Sequence, residues 1–132
     1  YHLCSGTPLD RFPQEVQDLV AEAGATALPA VRRAVLVGHR IPPGQATVKP
    51  DGTELQTLWG ELAWQLGGAE GFALLAEADR TRSNPGDTLR TLLERTGPCL
   101  ILIDEWVAYA RALYNDDSVA RRSNDTGVVH LW

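Results

Sequence analysis

Two adjacent carboxylates, Asp104 and Glu105, follow directly on a run of five apolar residues, Cys99 to Ile103. A run of this length, entered from Gly97–Pro98, predicts a strand buried on both faces, as in the middle of a parallel sheet. The carboxyl end of such a strand borders the crevice in which open α/β sheets bind ligands. An aspartate at that place can hold Mg²⁺, directly or through water. A glutamate one residue later can orient or deprotonate a water that attacks a phosphate.

An apolar run followed by Asp-Glu is the pattern of a Walker B strand. In that interpretation Asp104 binds the magnesium ion and Glu105 is the catalytic residue that activates water. A second interpretation stays open, because acids also suit the start of a helix, where the helix dipole favours negative charge. The chain would then be a non-catalytic α/β protein-interaction module whose two acids only begin the next helix.

The phosphate-binding half of an ATP site is not evident in the sequence. No GxxxxGK[ST] motif occurs, and Lys49, the only lysine, lies in a proline-rich stretch. The glycine-rich stretch 67–71 has no lysine and joins two predicted helices. We therefore expect the chain by itself not to hydrolyse ATP, and the phosphate grip to come from residues upstream of Tyr1.

The elements that must position the acids are predicted from periodicity and turn signals. Helices are predicted from Pro13 to Gly24, from Thr53 to Gly67–Gly68, through 72–78, from Asn84–Pro85 to Gly97, and over 106–114. Strands are predicted at 34–38 and 99–103, both buried on two faces, and the loop 39–53 turns at Pro50–Gly52. Two strands separated by helices indicate a parallel pair joined by a crossover. The fold class is therefore α/β, an incomplete three-layer fold like that of P-loop NTPases.

Length and composition are those of one ordinary globular domain. The 132 residues are 44% hydrophobic and 22% charged, and the net charge of −5 predicts no general attraction to nucleic acid or anionic lipid. Cys4 and Cys99 lie far apart, without a CxxC or Cys/His cluster that would suit a metal. No signal segment or membrane-length apolar run is recognisable, so we expect a cytoplasmic location and no membrane contact.

Three stretches carry a resemblance to a known bacterial family. They are VKPDGTE at 48–54, TLWGELAWQLG at 57–67 and PCLILIDEWVAYAR at 98–111. These three segments resemble sequences of the large ATP-binding proteins catalogued as domain of unknown function 499, which are AAA+-type P-loop ATPases. The similarity covers residues 1–115, which are then a partial P-loop ATPase core, and leaves 116–132 as a C-terminal tail of unknown role.

The resemblance implies a cofactor, a site and partners. ATP and Mg²⁺ would be the cofactors of the whole protein, with Asp104 on the magnesium side and Glu105 acting on water. In such proteins a Walker A loop precedes a segment like Tyr1–Leu3, so the remainder of the parent ATPase is the first expected partner. Relatives are encoded beside DNA methyltransferases in modification or phage-defence systems, which makes DNA or such an enzyme a partner by resemblance only. In the strand order of this class the strands beside the far edge of 99–103 are missing. We therefore also expect self-association, or a structure stabilised by the C-terminal tail.

Other polar and aromatic residues admit two interpretations each. His39 and Arg40 follow the first predicted strand, where water-facing loop residues are favoured over contacts to nucleotide or a neighbouring subunit. Arg111 suits a solvated helix position better than an arginine finger. Trp59 belongs to an apolar helical stripe, whereas Trp64 lies off that stripe and is free to meet another element.

Overall fold

The computed structural model describes residues 1–43 and 45–115. The predicted tail, 116–132, lies outside the described residues. Eight helices and strands follow in order: α1 (Gln14–Glu22), β1 (Arg32–Val37), β2 (Thr47–Val48), β3 (Glu54–Leu55), α2 (Leu58–Thr81), α3 (Asp87–Thr96), β4 (Cys99–Asp104) and α4 (Trp106–Asn115). Short 3₁₀ turns occur at His2–Cys4, Leu9–Arg11 and Gly38–Arg40. The chain is thus of mixed α/β class, as predicted.

The strands β1 and β4 pair in parallel, with Arg32 opposite Cys99 and Val37 opposite Asp104. This pairing confirms the parallel arrangement expected from the strand–helices–strand order. The strand β1 begins earlier than predicted, at Arg32, and ends at Val37. Both strands therefore end at the same edge, which brings the residues that follow them together.

Only one face of this sheet is covered, so the prediction that both strands are buried on two faces is wrong. Ala34 and Leu36 are fully buried in the core with leucines of α2 and α3. Val35 and its register partner Leu102 point to the other face and are 37% and 40% exposed. The physical reason is that the described helices bury the first face, while the second keeps its apolar side chains in contact with water.

The start of α2 differs from the prediction because a hairpin takes up the residues just before it. The turn at Pro50–Gly52 forms as predicted, and Lys49 N–H donates to the Thr53 carbonyl at 2.8 Å. Residues Glu54–Leu55 then pair with β2, so Thr53 does not cap a helix. The N-cap is Thr57, whose hydroxyl oxygen accepts a hydrogen bond from Gly60 N–H at 3.1 Å.

The helix α2 is interrupted at Gly68, which has φ 61° and ψ −153°. The chain folds back there, because the Asp79 carboxylate lies 2.8 Å from the Thr57 amide. In a straight helix residues so far apart in sequence would be separated by roughly 30 Å. The two halves correspond to the two helices predicted on either side of Gly67–Gly68. Within the described ranges, no helix combines the length and apolar character of a membrane span.

Candidate functional site

The candidate site lies where β1 and β4 end together. Val37 and Asp104 are register partners at the last position of the ladder. The turn Gly38–Arg40 continues from β1, and Glu105 continues from β4. Asp104 and Glu105 are both exposed, so their carboxylates are open to solvent at the carboxyl edge of the sheet. The sequence predicted this edge for the two acids.

The backbone at Glu105 makes the transition from strand to helix. Its φ of 52° is in the left-handed region, which costs a residue with a side chain about 1 kcal/mol or more. The Glu105 carbonyl accepts from Ala108 N–H at 3.0 Å and Tyr109 N–H at 3.3 Å, so α4 begins directly after this residue. The Asp104 carboxylate accepts the Glu105 N–H at 2.8 Å, which holds the turn.

The Glu105 carboxylate makes an ion pair with the Nδ1 atom of His39. The two side chains are 47% and 55% exposed, so the pair stands at the surface and stays reachable by water or a ligand. The sequence interpretation left His39 as a water-facing residue or a contact to nucleotide or subunit. The partner within the same chain was missed. The signal for it was present, because each residue follows the end of one of two neighbouring parallel strands.

Gly38 allows the two strand ends to approach each other. A Cβ atom at this position would run into the Glu105 carbonyl oxygen and lie 2.9 Å from its carbon. It would also lie 3.1 Å from the Cβ of Tyr109. Since the first two atoms belong to the backbone, they cannot rotate away. Only glycine fits at Gly38 without moving Glu105.

Tyr109 ties α4 to the start of α2. The ring is 6% exposed, and its hydroxyl oxygen accepts a hydrogen bond from Leu58 N–H at 3.2 Å. Burial raises the pKa of the Tyr109 phenol above its ordinary value, and the hydrogen bond from Leu58 acts in the opposite direction. Tyr109 therefore fixes the helix whose first turn starts at Glu105.

A buried carboxylate, Asp79, organises the same end of α2. It is 2% exposed and accepts hydrogen bonds from Thr57 N–H at 2.8 Å and the Thr57 hydroxyl at 2.6 Å. A further bond comes from Gln56 N–H at 2.9 Å. The negative charge lies at the positive end of the helix dipole. Sequence reasoning missed this residue, because the fold-back at Gly68 brings it to Thr57.

Lys49 and Trp64 form a cluster apart from the acids. The Lys49 ammonium lies 2.7 Å from a carboxylate oxygen of Glu61 and 4.7 Å from the Trp64 ring centroid. Trp64 also donates its indole N–H to Asp51 at 3.3 Å. Trp64 thus meets the hairpin, as its position off the apolar stripe suggested. The single lysine is held in structural contacts.

The remaining candidates are exposed or belong to the core. Arg40 and Arg111 are both exposed, which suits either interpretation of each residue. Trp59 is partly buried against the core cluster.

Asp104 and Glu105 could hold a magnesium ion only together with waters or substrate phosphates. Within the part of the chain described by the structure, no group of three or more His, Cys, Asp or Glu residues could hold a metal. Magnesium, however, is commonly bound by one or two carboxylates together with waters and substrate phosphates. Exposed carboxylates at a sheet edge suit that mode.

The fold and site define a mixed α/β protein with two acids at the carboxyl edge of a parallel strand pair. Comparison of the chain with known protein families, with curated proteins and with solved structures finds no match.

Proposed function

We propose that this chain supplies the magnesium and water half of an ATP-hydrolysing site in a P-loop ATPase. Asp104 holds Mg²⁺, directly or through water, and Glu105 orients the water that attacks the γ-phosphate. Residues 1–115 then belong to an incomplete three-layer core like that of the AAA+-type proteins of domain of unknown function 499. The proposal rests on the resemblance at 57–67 and 98–111 and on the geometry of the strand end.

The observation that carries this proposal is the location of the two acids. They follow a strand of a parallel pair, at the edge where ligands bind in open α/β sheets. Both are exposed to solvent. Glu105 also keeps a left-handed backbone conformation that glycine or asparagine would adopt at lower cost. The presence of glutamate at this strained position supports a role for its carboxylate.

His39 acts as a positioning residue in this proposal. Its ring holds the Glu105 carboxylate at the end of β1. A carboxylate fixed by one partner keeps its second oxygen for a water. The histidine and the glutamate therefore form one unit in which His39 sets the orientation of Glu105.

The phosphate grip has to come from other polypeptide, since the sequence contains no Walker A motif. We propose that the remainder of the parent ATPase provides it, and that ATP with Mg²⁺ binds between the two parts. A role in DNA modification or phage defence follows from the family resemblance alone.

The test is ATP turnover by the parent protein with single substitutions. Glu105→Gln should lower kcat by about 100-fold or more while ATP still binds, because the water loses its orienting base. Asp104→Ala should raise the Mg²⁺ concentration needed for half-maximal rate. His39→Ala should lower kcat more than it changes KM.

Glu54→Gln is the matched control, since Glu54 is an exposed acid in the hairpin and its loss should leave turnover unchanged. Unchanged turnover in both the Glu105 and the Asp104 variants would eliminate the catalytic assignment.

A second candidate is a non-catalytic protein-interaction module, and one observation favours it. The Asp104 carboxylate accepts the Glu105 amide directly before α4, so this acid takes part in the transition from strand to helix. On this reading Asp104→Asn would weaken the start of α4 and lower stability without any effect on Mg²⁺ or ATP. Mg²⁺-dependent nucleotide binding that is lost with Asp104→Ala separates the two candidates.

A further inference from the structure

The outer edge of β1 is closed by a side chain. Val35 N–H donates to the Gln65 amide oxygen at 2.7 Å, and the Gln65 amide nitrogen donates to the Val35 carbonyl at 2.9 Å. The same nitrogen donates to Glu61 at 2.7 Å, and Glu61 is held by Lys49. Gln65 thus replaces a neighbouring strand at the centre of this edge.

No side chain or strand among residues 1–43 and 45–115 covers the outer edge of β4 in this way. The backbone N–H and C=O groups of successive residues in a strand point to opposite edges. Those of Val35 point to the outer edge, so the N–H and C=O groups of Ala34 and Leu36 point toward β4. In the parallel register the residues opposite them, Ile101 and Ile103, then present their backbone groups to the far side. Among the described residues, β1 is the only strand paired with β4.

This edge also lacks the features that usually block strand pairing. Residues 99–103 contain no charge, proline or glycine. Leu102 and Ile103 are 40% and 49% exposed, on opposite faces of the strand. An uncharged strand with free backbone groups and apolar side chains on both faces is suited to accept another strand.

We infer that this surface binds a second copy of the chain, through antiparallel pairing of the two β4 strands about a two-fold axis at Ile101. The residues that face outward must lie opposite each other to exchange both hydrogen bonds. The register centred on Ile101 meets this condition over the whole run, with Cys99 opposite Ile103 of the partner subunit. The two parallel pairs then form one four-stranded sheet.

Charge favours the second copy in this orientation. The amino-terminal end of the strand pair carries Arg32 and Arg33, opposite Cys99 and Leu100, and the carboxyl end carries Asp104 and Glu105. An antiparallel two-fold arrangement places the basic end of each subunit beside the acidic end of the other. A parallel arrangement would bring like charges together, which is unfavourable.

The test is sedimentation velocity of the intact chain with a charge placed on the edge. The chain should sediment as a dimer, and Ile103→Lys should convert it to a monomer, because a lysine on an edge strand opposes pairing. Leu19→Lys is the matched control, since Leu19 is 64% exposed on α1, and this variant should remain a dimer. Circular dichroism establishes that both variants keep their fold. A wild-type monomer at high micromolar concentration, or a dimer that persists in Ile103→Lys, would overturn the inference.

The register has a test of its own. Ile103→Cys should give an intermolecular disulfide with Cys99, a free thiol, because directly opposed residues of antiparallel strands lie within disulfide distance. The linked dimer should disappear when Cys99→Ser is added. A dimer that does not cross-link would contradict the pairing about Ile101. These experiments involve no nucleotide, so their outcome is separate from that of the ATP turnover tests.

Discussion

Different interactions hold Asp104 and Glu105, although the two residues are adjacent. Asp104 is tied to the backbone of its neighbour, whereas the carboxylate of Glu105 depends on His39, which belongs to the turn after β1. The position of Glu105 is therefore set by a contact between two strand ends. Any change that separates those ends should move the glutamate before it moves the aspartate.

Gly38 provides a test at the residue scale. Gly38→Ala should lower the free energy of unfolding by about 1–3 kcal/mol, because the new methyl group meets the Glu105 backbone and Tyr109. Urea unfolding measures this change. Gly67→Ala is the control, since its Cβ would lie 3.6 Å from the nearest atom, an ordinary contact, within a helix. That variant should be neutral or stabilised, and an equal loss in both would refute the role given to Gly38.

Single residues were predictable from the sequence where the signal was local. The apolar run and the acids after it are contiguous, so the end of β4 and the exposure of Asp104 follow from the pattern. The contact of Asp79 with Thr57 was not predictable, because the two residues lie 22 positions apart and meet only through the fold-back at Gly68. The contact of His39 with Glu105, 66 positions away, could be predicted only from the parallel pairing of the two strands that they follow. Such contacts depend on how the elements pack.

At the scale of elements, Tyr109 joins α4 to α2, and its ionisation should affect stability in alkali. A raised pKa in the folded state means that the folded protein holds the phenolic proton more tightly than the unfolded chain does. The resulting stabilisation is present below the unfolded-state pKa of about 10 and is lost as pH rises through the folded-state pKa.

Tyr109→Phe should therefore flatten the fall in stability with pH above about 10. At neutral pH the same variant should lose about 1 kcal/mol, since Leu58 N–H loses its acceptor. Urea unfolding over this pH range gives both numbers. Tyr114→Phe, at a side chain that is 74% exposed, should keep the wild-type slope. An unchanged slope in Tyr109→Phe would show that this phenol does not ionise with unfolding.

Gln65 is the second junction between elements, because it connects α2 to the edge of β1. Gln65→Ala should lower the free energy of unfolding by about 1–2 kcal/mol, since it removes two hydrogen bonds to Val35. The Val35 amide should also exchange its hydrogen with water faster, which NMR can follow. Gln14→Ala removes an exposed amide that bonds only to Asp18, and it should change neither quantity. If the Val35 amide hydrogen still exchanged slowly in Gln65→Ala, the role of Gln65 in closing the edge of β1 would be contradicted.

Helix existence was more predictable than helix starts. The break at Gly68 and the stop at Gly97 were visible as glycines that take positive φ. The start of α2 was placed at Thr53 rather than Thr57, because both threonines suit an N-cap. Thr57 is the N-cap for two reasons. The hairpin contains Glu54–Leu55, and the Asp79 carboxylate accepts hydrogen bonds from the N–H groups of Gln56 and Thr57.

At the scale of the whole molecule, the strand pair is the part of the fold that the sequence described least well. Apolar runs predicted strands covered on both sides, yet Val35, Leu102 and Ile103 remain 37–49% exposed. Hydrophobic side chains in a sequence indicate which surfaces avoid water but do not show whether the chain itself covers them.

The two hydrogen bonds between Gln65 and Val35 bear on how the proposed dimer could associate further. In the proposed dimer the open edge of each β4 is paired, while the centre of each β1 edge is occupied by Gln65. The two-fold axis makes the proposed dimer a closed assembly at this interface. A strand pair with both borders bare could instead add subunits without end, as in a fibril. In the proposed assembly, Gln65 thus opposes the addition of a further strand at Val35.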